Sequence, residues 1–435
     1  MTPAQREVRA WYLYDWANSA FFTTVAALFL GPYLTSLAKA AAGSDGLVHP
    51  FGIPIDPRSF WSYAVSVAVS AQVLVLPIVG AIADYGRRKR QALAATAFVG
   101  SVATIAMYFL QGHAYLWGGL LFVISNTSFG ASIVVYNSFL PEIAVPEDRD
   151  RVSATGWGIG YMGGGLLLAL NLALYLGAER IGISEALAVR ISLCSAGVWA
   201  ALFTIPVVSI LRDRGESRDI PAGETMVGVA FRQVAHTLRD MRKYPETLLF
   251  LSAYLLYNDA IQTVLAVTTQ FANDELKIPI PQVTMAYLMS QFIGIFGATG
   301  FGKVSGWIGS KNAILLCLAV WIGVLIAIYA SVRTTPDFFW AVGAASVVVG
   351  GSQALSRSLF AQLIPKGKEA ESFSIYEISD KGTCWLGPLV FGLALQLTHS
   401  YRAAILSLIA FFFLGGALLT RVNVRRGLES VCSEE

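Results

Sequence analysis

Charge is what this sequence has least of. Of 435 residues only 14% are Asp, Glu, Lys or Arg, against about 25% in soluble globular proteins, which argues against a chain surrounded by water. The net charge of +3 is too small for a nucleic-acid footprint. Cysteine is also scarce. Cys194, Cys317, Cys384 and Cys432 make no CxxC pair, and the first three lie inside apolar runs. Neither a disulfide framework nor a zinc or redox site is expected. The four histidines have no HExxH spacing, and no GxxxxGK(S/T) loop occurs. Metal chemistry and ATP-driven work therefore have no motif to rest on, and no cofactor, metal site or catalytic residue is expected. The polar segment 1–9 does not read as a cleavable signal, and Thr2-Pro3 has the form of a helix start.

What the chain does have is apolar length. Hydrophobic residues make up 55%, with 40 glycines and 10 tryptophans, and glycine is more frequent in membrane helices than in soluble ones. A membrane helix needs roughly 20 mostly apolar residues. Twelve such runs can be read, at about 11–40, 60–83, 91–111, 115–138, 152–176, 187–210, 247–271, 283–305, 312–332, 338–361, 374–397 and 402–420. The expected fold class is an all-α integral membrane protein of twelve transmembrane helices in two pseudo-symmetric six-helix halves.

Connections are short except between Leu211 and Glu246, a basic segment carrying Arg212, Arg214, Arg218, Arg232, Arg239, Arg242 and Lys243. It divides the chain into an N-terminal half (1–211), a linker (212–246) and a C-terminal half (247–435). Within it Val227, Phe231, Val234, Leu238 and Met241 recur at helical spacing, which predicts an amphipathic helix along the membrane surface. With the N-terminus inside, inner segments hold 22 Lys and Arg and outer segments seven. That bias predicts cytoplasmic termini and a plasma (inner) membrane location.

Two pieces of the first half recur in the second. Gly80–Lys89 after the second run matches Gly302–Lys311 after the eighth, an offset of 222. Pro146–Ser153 matches Pro365–Ser372, an offset of 219. Repeats at corresponding places predict two similar halves.

Polar residues are costly in a membrane and tend to face a polar interior. They fall with a period of three helices. The first run has Asp15 and Asn18; the fourth has Asn126 and Asn137; the seventh has Asn258, Asp259 and Gln262; the tenth has Gln353 and Arg357. The third, sixth, ninth and twelfth have almost none. The period places runs one, four, seven and ten around a central aqueous cavity, with every third run facing lipid. Single Asn or Gln residues also serve as interhelical glue. Asp259, 13 residues after Glu246, lies about 20 Å along its helix, near the midplane. Asp15 is either equally deep, if its helix starts near Thr2, or near the cytoplasmic rim. The glycines Gly156, Gly158, Gly160, Gly163, Gly164 and Gly165 predict close helix approach.

These residues resemble the major facilitator superfamily. Gly80, Asp84, Arg87, Arg88 and Lys89 are similar to its signature between helices two and three, with Arg87 where the signature carries Gly. The stretches Trp11–Phe21, Gly350–Phe360, Pro365–Glu371 and Gly387-Pro388 resemble the group akin to the yeast vacuolar amino-acid effluxer linked to autophagy. The resemblance covers essentially the whole chain. It implies a secondary transporter working by alternating access on a small amino acid or similar zwitterion, exported, with proton coupling through Asp259 an open alternative.

The substrate residues would be Asp15, Asn18, Asn126, Asn137, Asp259, Gln262, Gln353 and Arg357. Asp15 and Asp259 would meet an ammonium and Arg357 a carboxylate, or these would be structural pairs. Asp84, Arg87, Arg88, Glu377, Asp380 and Lys381 would latch the halves, Asp84 meeting the positive end of the eleventh helix. The expected partners are a small-molecule substrate and protons, in a bilayer, with no nucleic acid and a monomeric chain. The competing readings are a sugar, peptide or drug-like solute, a transporter-like sensor without flux, and a membrane enzyme, for which no catalytic set converges.

Overall fold

The computed structural model describes residues 3–85, 89–144, 149–213, 242–363 and 385–432, with isolated positions between them. In order the main helices are α1 (Pro3–Ala20), a π-helical stretch (Phe21–Phe29), α2 (Leu30–Ala41), α3 (Phe60–Tyr85), α4 (Lys89–Ala106), α5 (Tyr115–Ser138), α6 (Arg149–Gly177) and α7 (Glu185–Ile210). The second group is α8 (Pro245–Asp274), α9 (Ile280–Ile308), α10 (Ser310–Ala330), α11 (Thr335–Gln362), α12 (Leu386–Thr398), α13 (Tyr401–Ser407), α14 (Ile409–Arg421) and α15 (Val424–Cys432). Among the described residues nine helical stretches are long and apolar enough to cross a membrane, and Phe60–Leu76 and Leu386–Thr398 are shorter apolar helices. The first helix does start at Pro3 and runs on, through the π turn, to Ala41. The predicted linker helix, with Val227, Phe231, Val234, Leu238 and Met241, lies outside the described residues.

The chain forms two compact units, Met1–Arg232 and Gln233–Glu435. In the first, α1 packs on α6 and α7, α3 on α5, and α4 on α5 and α7. In the second, α8 packs on α12 and α14, α9 on α11, and α10 on α11 and α14. Counted by position within each half, the same five helix pairs meet in both units. The repeat read from loop residues is thus present in the packing.

Of these nine stretches, those read from the sequence as the first, fourth and seventh runs are the most enclosed, with 72%, 61% and 61% of their apolar windows buried, against 39% for those read as the third, sixth, ninth and twelfth and 33% for that read as the fifth. The tenth departs from this period at 33%. It exposes Trp340 and Val347 as well as Arg357 and Ser358, so only its later part is a polar exposed surface.

Inside a bilayer no water satisfies stray polar groups. Many hydroxyls therefore bond back to their own helix, as Ser101 to the Ala97 carbonyl, Thr104 to Gly100, Ser192 to Ala188 and Thr204 to Ala200, all at 2.6–2.9 Å. Backbones approach closely where side chains are absent. A Cβ on Gly163 would lie 2.6 Å from the Trp16 carbonyl, and one on Gly297 only 2.3 Å from the Val347 carbonyl. The predicted glycine crowding is therefore real for Gly156, Gly160, Gly163 and Gly164, which meet α1 and the π stretch, while Gly158 and Gly165 meet nothing nearby.

Each unit also carries an arginine that caps a helix C-terminus. Arg190 of α7 donates to the Tyr108 carbonyl at 3.3 Å and lies over the Tyr108 ring. Arg402 of α13 donates to the Ile328, Tyr329 and Val332 carbonyls at 2.6, 3.2 and 2.7 Å and pairs with Glu275 at 3.0 Å. Tyr329 follows Tyr108 by 221 positions, matching the repeat offsets.

Two stability outcomes follow. Gly297→Val should lower thermal stability in detergent by about 1–3 kcal/mol through overpacking, while a valine at the open Gly302 leaves it nearly unchanged. Arg402→Gln, which strands several helix-end carbonyls and Glu275, should cost about 2–4 kcal/mol. Melting curves of the purified variants check both.

Candidate functional site

In the first unit the polar residues gather around Asp15, which is half-buried on α1. The Tyr136 hydroxyl of α5 donates to Asp15 Oδ2 at 2.6 Å. Tyr136 is fixed in turn by Trp11, whose ring stacks on it at 4.3 Å and whose Nε1 donates to the Tyr136 carbonyl at 3.0 Å. Tyr14 donates to Ser132 Oγ one turn away. Gly156 of α6 closes the other side, since a Cβ there would lie 2.5 Å from Asp15 Oδ2. Asp15 is thus held by neighbours on two helices.

Asn18 is buried one turn on, and its Oδ1 has no hydrogen-bond partner. The π-helical stretch begins three residues later, and such wider turns are frequent at functional sites. Asn126 is buried on α5, and its carbonyl accepts from Gln72 Nε2 at 3.0 Å. Asn137 lies half-buried near the α5 C-terminus, more than two turns from Asn126.

In the second unit the cluster is tighter. Asn258 is fully buried on α8, and its Oδ1 accepts from Gln353 Nε2 of α11 at 2.7 Å. Tyr257 and Ser356 share a hydrogen bond at 2.6 Å, the counterpart of Tyr14 with Ser132. Asp259 is 4% exposed. Its Oδ2 accepts the Gly387 backbone N–H at 2.8 Å, while its Oδ1 has no hydrogen-bond partner. An isolated ionised carboxylate is expensive to bury, so a half-satisfied one is the most conspicuous polar group of this unit. Gln262 is half-buried along α8, and Arg357 is exposed one turn from Gln353. The structure therefore joins Asn258 to Gln353 and leaves Arg357 on an accessible face.

Of the predicted latch, Asp84 falls in α3 with its side chain outside the described residues, and Arg87, Arg88, Glu377, Asp380 and Lys381 also lie outside them. Among the described residues no three His, Cys, Asp or Glu side chains gather as a metal site.

Sequence reasoning missed three contributors. Tyr136 is one of 17 tyrosines and carries no spacing signal. Gly387 acts through its backbone N–H, which every residue but proline has. Glu246, buried at the start of α8, accepts the Asn423 N–H at 2.7 Å and anchors the start of α15. Its position just before an apolar run was the available hint.

Comparison with known proteins agrees with this architecture. The model of the family described as "Vacuole effluxer Atg22 like" matches residues 3–431. The chain is 28% identical to the MFS-type transporter YxiO of Bacillus subtilis, over 96% of this chain and 95% of that one. It is also 28% identical to autophagy-related protein 22 of Pyricularia oryzae, over 98% of this chain and 77% of that one. Among solved structures, a D-xylose–proton symporter superposes with a TM-score of 0.70 at 12% identity, over 98% of this chain and 99% of that one. A bacterial homologue of the human lysosomal transporter Spinster superposes with a TM-score of 0.67 at 13% identity, over 100% and 99%. These likenesses at low identity establish the fold, an all-α membrane fold of the major facilitator type, and neither the family nor the fold is that of an enzyme. With its model matched over nearly the entire length, the chain belongs to the Atg22-like vacuole effluxer family of membrane transporters.

Proposed function

We propose that this transporter exports a small amino acid or a similar zwitterion by alternating access. The observation that carries the reading is Asp259, a buried carboxylate with one oxygen held and the other unpartnered, beside the Asn258–Gln353 pair. In this reading Asp259 Oδ1 receives the ammonium. Asn258, Gln353 and Gln262 orient the solute, and Arg357, whose planar fork suits a carboxylate, takes its other end. A proton at the same oxygen serves as the coupling ion once the ammonium leaves. Asp15, already engaged by Tyr136, acts as a structural acceptor, with Asn18, Asn126 and Asn137 available to a polar solute from the first unit.

Asp84, Arg87, Arg88, Glu377, Asp380 and Lys381 serve as the conformational latch. The chain divides into two halves, 1–211 and 247–435, joined by the basic linker 212–246. The distribution of Lys and Arg supports cytoplasmic termini in a plasma membrane. The family's description as vacuole effluxers supports the export direction.

Asp259→Asn should keep the carboxamide oxygen for Gly387 and remove the charge. Reconstituted in proteoliposomes, it should lose at least about tenfold in amino-acid flux, the loss of a charge-assisted hydrogen bond, with unchanged gel filtration and helicity. Undiminished flux would remove Asp259 from the site. Wild-type flux of a sugar or peptide, with none for any amino acid, would replace the substrate class.

A further inference from the structure

The unpartnered oxygen of Asp259 is explained only when the start of α12 is accounted for. Trp385 stands at the N-cap of this helix and makes no side-chain capping bond. The first helical turn leaves backbone donors unmet, and these need partners. Here Pro388 has no N–H, and the Leu389 N–H bonds the Trp385 carbonyl at 3.2 Å. The free donors are those of Leu386 and Gly387. Asp259, from a different span, takes the Gly387 N–H at 2.8 Å. One carboxylate oxygen thus serves an unmet donor at the positive end of α12, where a negative charge is favoured.

Position 387 admits no side chain without disturbing this arrangement. A Cβ would lie 2.3 Å from Thr263 Oγ1, 2.8 Å from Asp259 Oδ1 and 3.0 Å from the Asp259 carbonyl. Thr263 spends its hydroxyl proton on the Asp259 carbonyl at 2.6 Å, so it does not serve Oδ1. The result is a divided carboxylate: Oδ2 faces the helix end, and Oδ1 is buried without a partner.

Resting on the assignment of Asp259 to the transport site, we propose that Gly387 is the positioning residue of that site, its backbone N–H fixing the Asp259 carboxylate so that a cationic group arriving at Oδ1 is felt by α12. A charged Asp259 holds the positive helix end. An ammonium or a proton at Oδ1 neutralises the carboxylate and weakens that hold. Linkage makes the effect reciprocal, so displacement of α12 lowers the affinity of Oδ1 for its cation.

The test uses full-length purified protein and hydrogen exchange of peptides covering the start of α12, together with flux of a labelled amino-acid mixture in proteoliposomes. Asp259→Ala should speed exchange at the α12 N-terminus by about five- to tenfold, the loss of a helix cap. Asp259→Asn, which keeps an acceptor, should fall between. Gly387→Ala should speed the same amides with Asp259 still present and raise the apparent KM more than it lowers the maximal rate. Thr263→Ala added to Gly387→Ala removes the nearest clashing atom and should recover part of both.

Adding methylammonium to wild type should speed the same amides at constant pH, which identifies an ammonium as a sufficient occupant; an effect of acidification alone assigns the proton instead. No response to either overturns the coupling. Wild-type exchange and KM in Gly387→Ala also overturn it, even where Asp259→Asn abolishes flux and leaves the proposed function standing. Normal flux in Asp259→Asn with fast amides in Gly387→Ala reduces the contact to a structural cap and likewise overturns it.

Discussion

The constraint on which this structure depends is that a spanning helix has no water to complete its hydrogen bonds. Serine and threonine hydroxyls fold back onto their own helices. Helix ends are met by side chains from elsewhere: Arg190 and Arg402 at two C-termini, Asp259 and Glu246 at the starts of α12 and α15. Among the described residues several buried side-chain atoms still have no hydrogen-bond partner, Asn18 Oδ1, Thr24 Oγ1, Trp321 Nε1 and Asp259 Oδ1 among them. Asp259 Oδ1 differs from the neutral ones in belonging to a carboxylate, whose charge is the costlier group to bury.

The two units meet this constraint with the same devices. The Tyr14–Ser132 bond recurs as Tyr257–Ser356, and the arginine cap on Tyr108 recurs on Tyr329. In each unit a first-helix aspartate lies against a glycine of the fifth helix, Gly156 beside Asp15 and Gly387 beside Asp259. The halves differ in what completes the acid. Asp15 has a phenol from Tyr136, whereas Asp259 has the Gly387 backbone donor and an oxygen to spare. A shared scaffold therefore carries one engaged acid and one incompletely satisfied acid, which is a physical basis for different roles.

Much of the fold was legible because membrane helices obey a simple length rule. The run at 115–138 coincides with α5, and Pro3 opens the first helix as the Thr2-Pro3 pair suggests. The repeat was legible in loop residues because corresponding turns face the same requirements. The site was legible only in part. Asp259 and Gln353 were found because polar groups are rare in apolar runs, but spacing could not say that Gln353 would bond Asn258. The glycine-rich face of α6 was legible as a contact surface. Gly387 of α12 was legible only as part of the Gly387-Pro388 stretch and not as a contact of Asp259, since a backbone donor looks the same at every position. The tenth span shows the limit of periodicity: its polar residues match those of the first, fourth and seventh, yet much of its surface is exposed.

The central claim is that a carboxylate on α8 recognises an ammonium group. The most direct measurement is a thermal-shift comparison of purified wild-type protein with α-amino acids and their matched 2-hydroxy acids. Ligands that bind the folded state raise its melting temperature. The account predicts that at least one amino acid stabilises the protein and that its hydroxy acid, identical except for the ammonium, does not. Equal stabilisation by both, or stabilisation only by uncharged sugars, would contradict it.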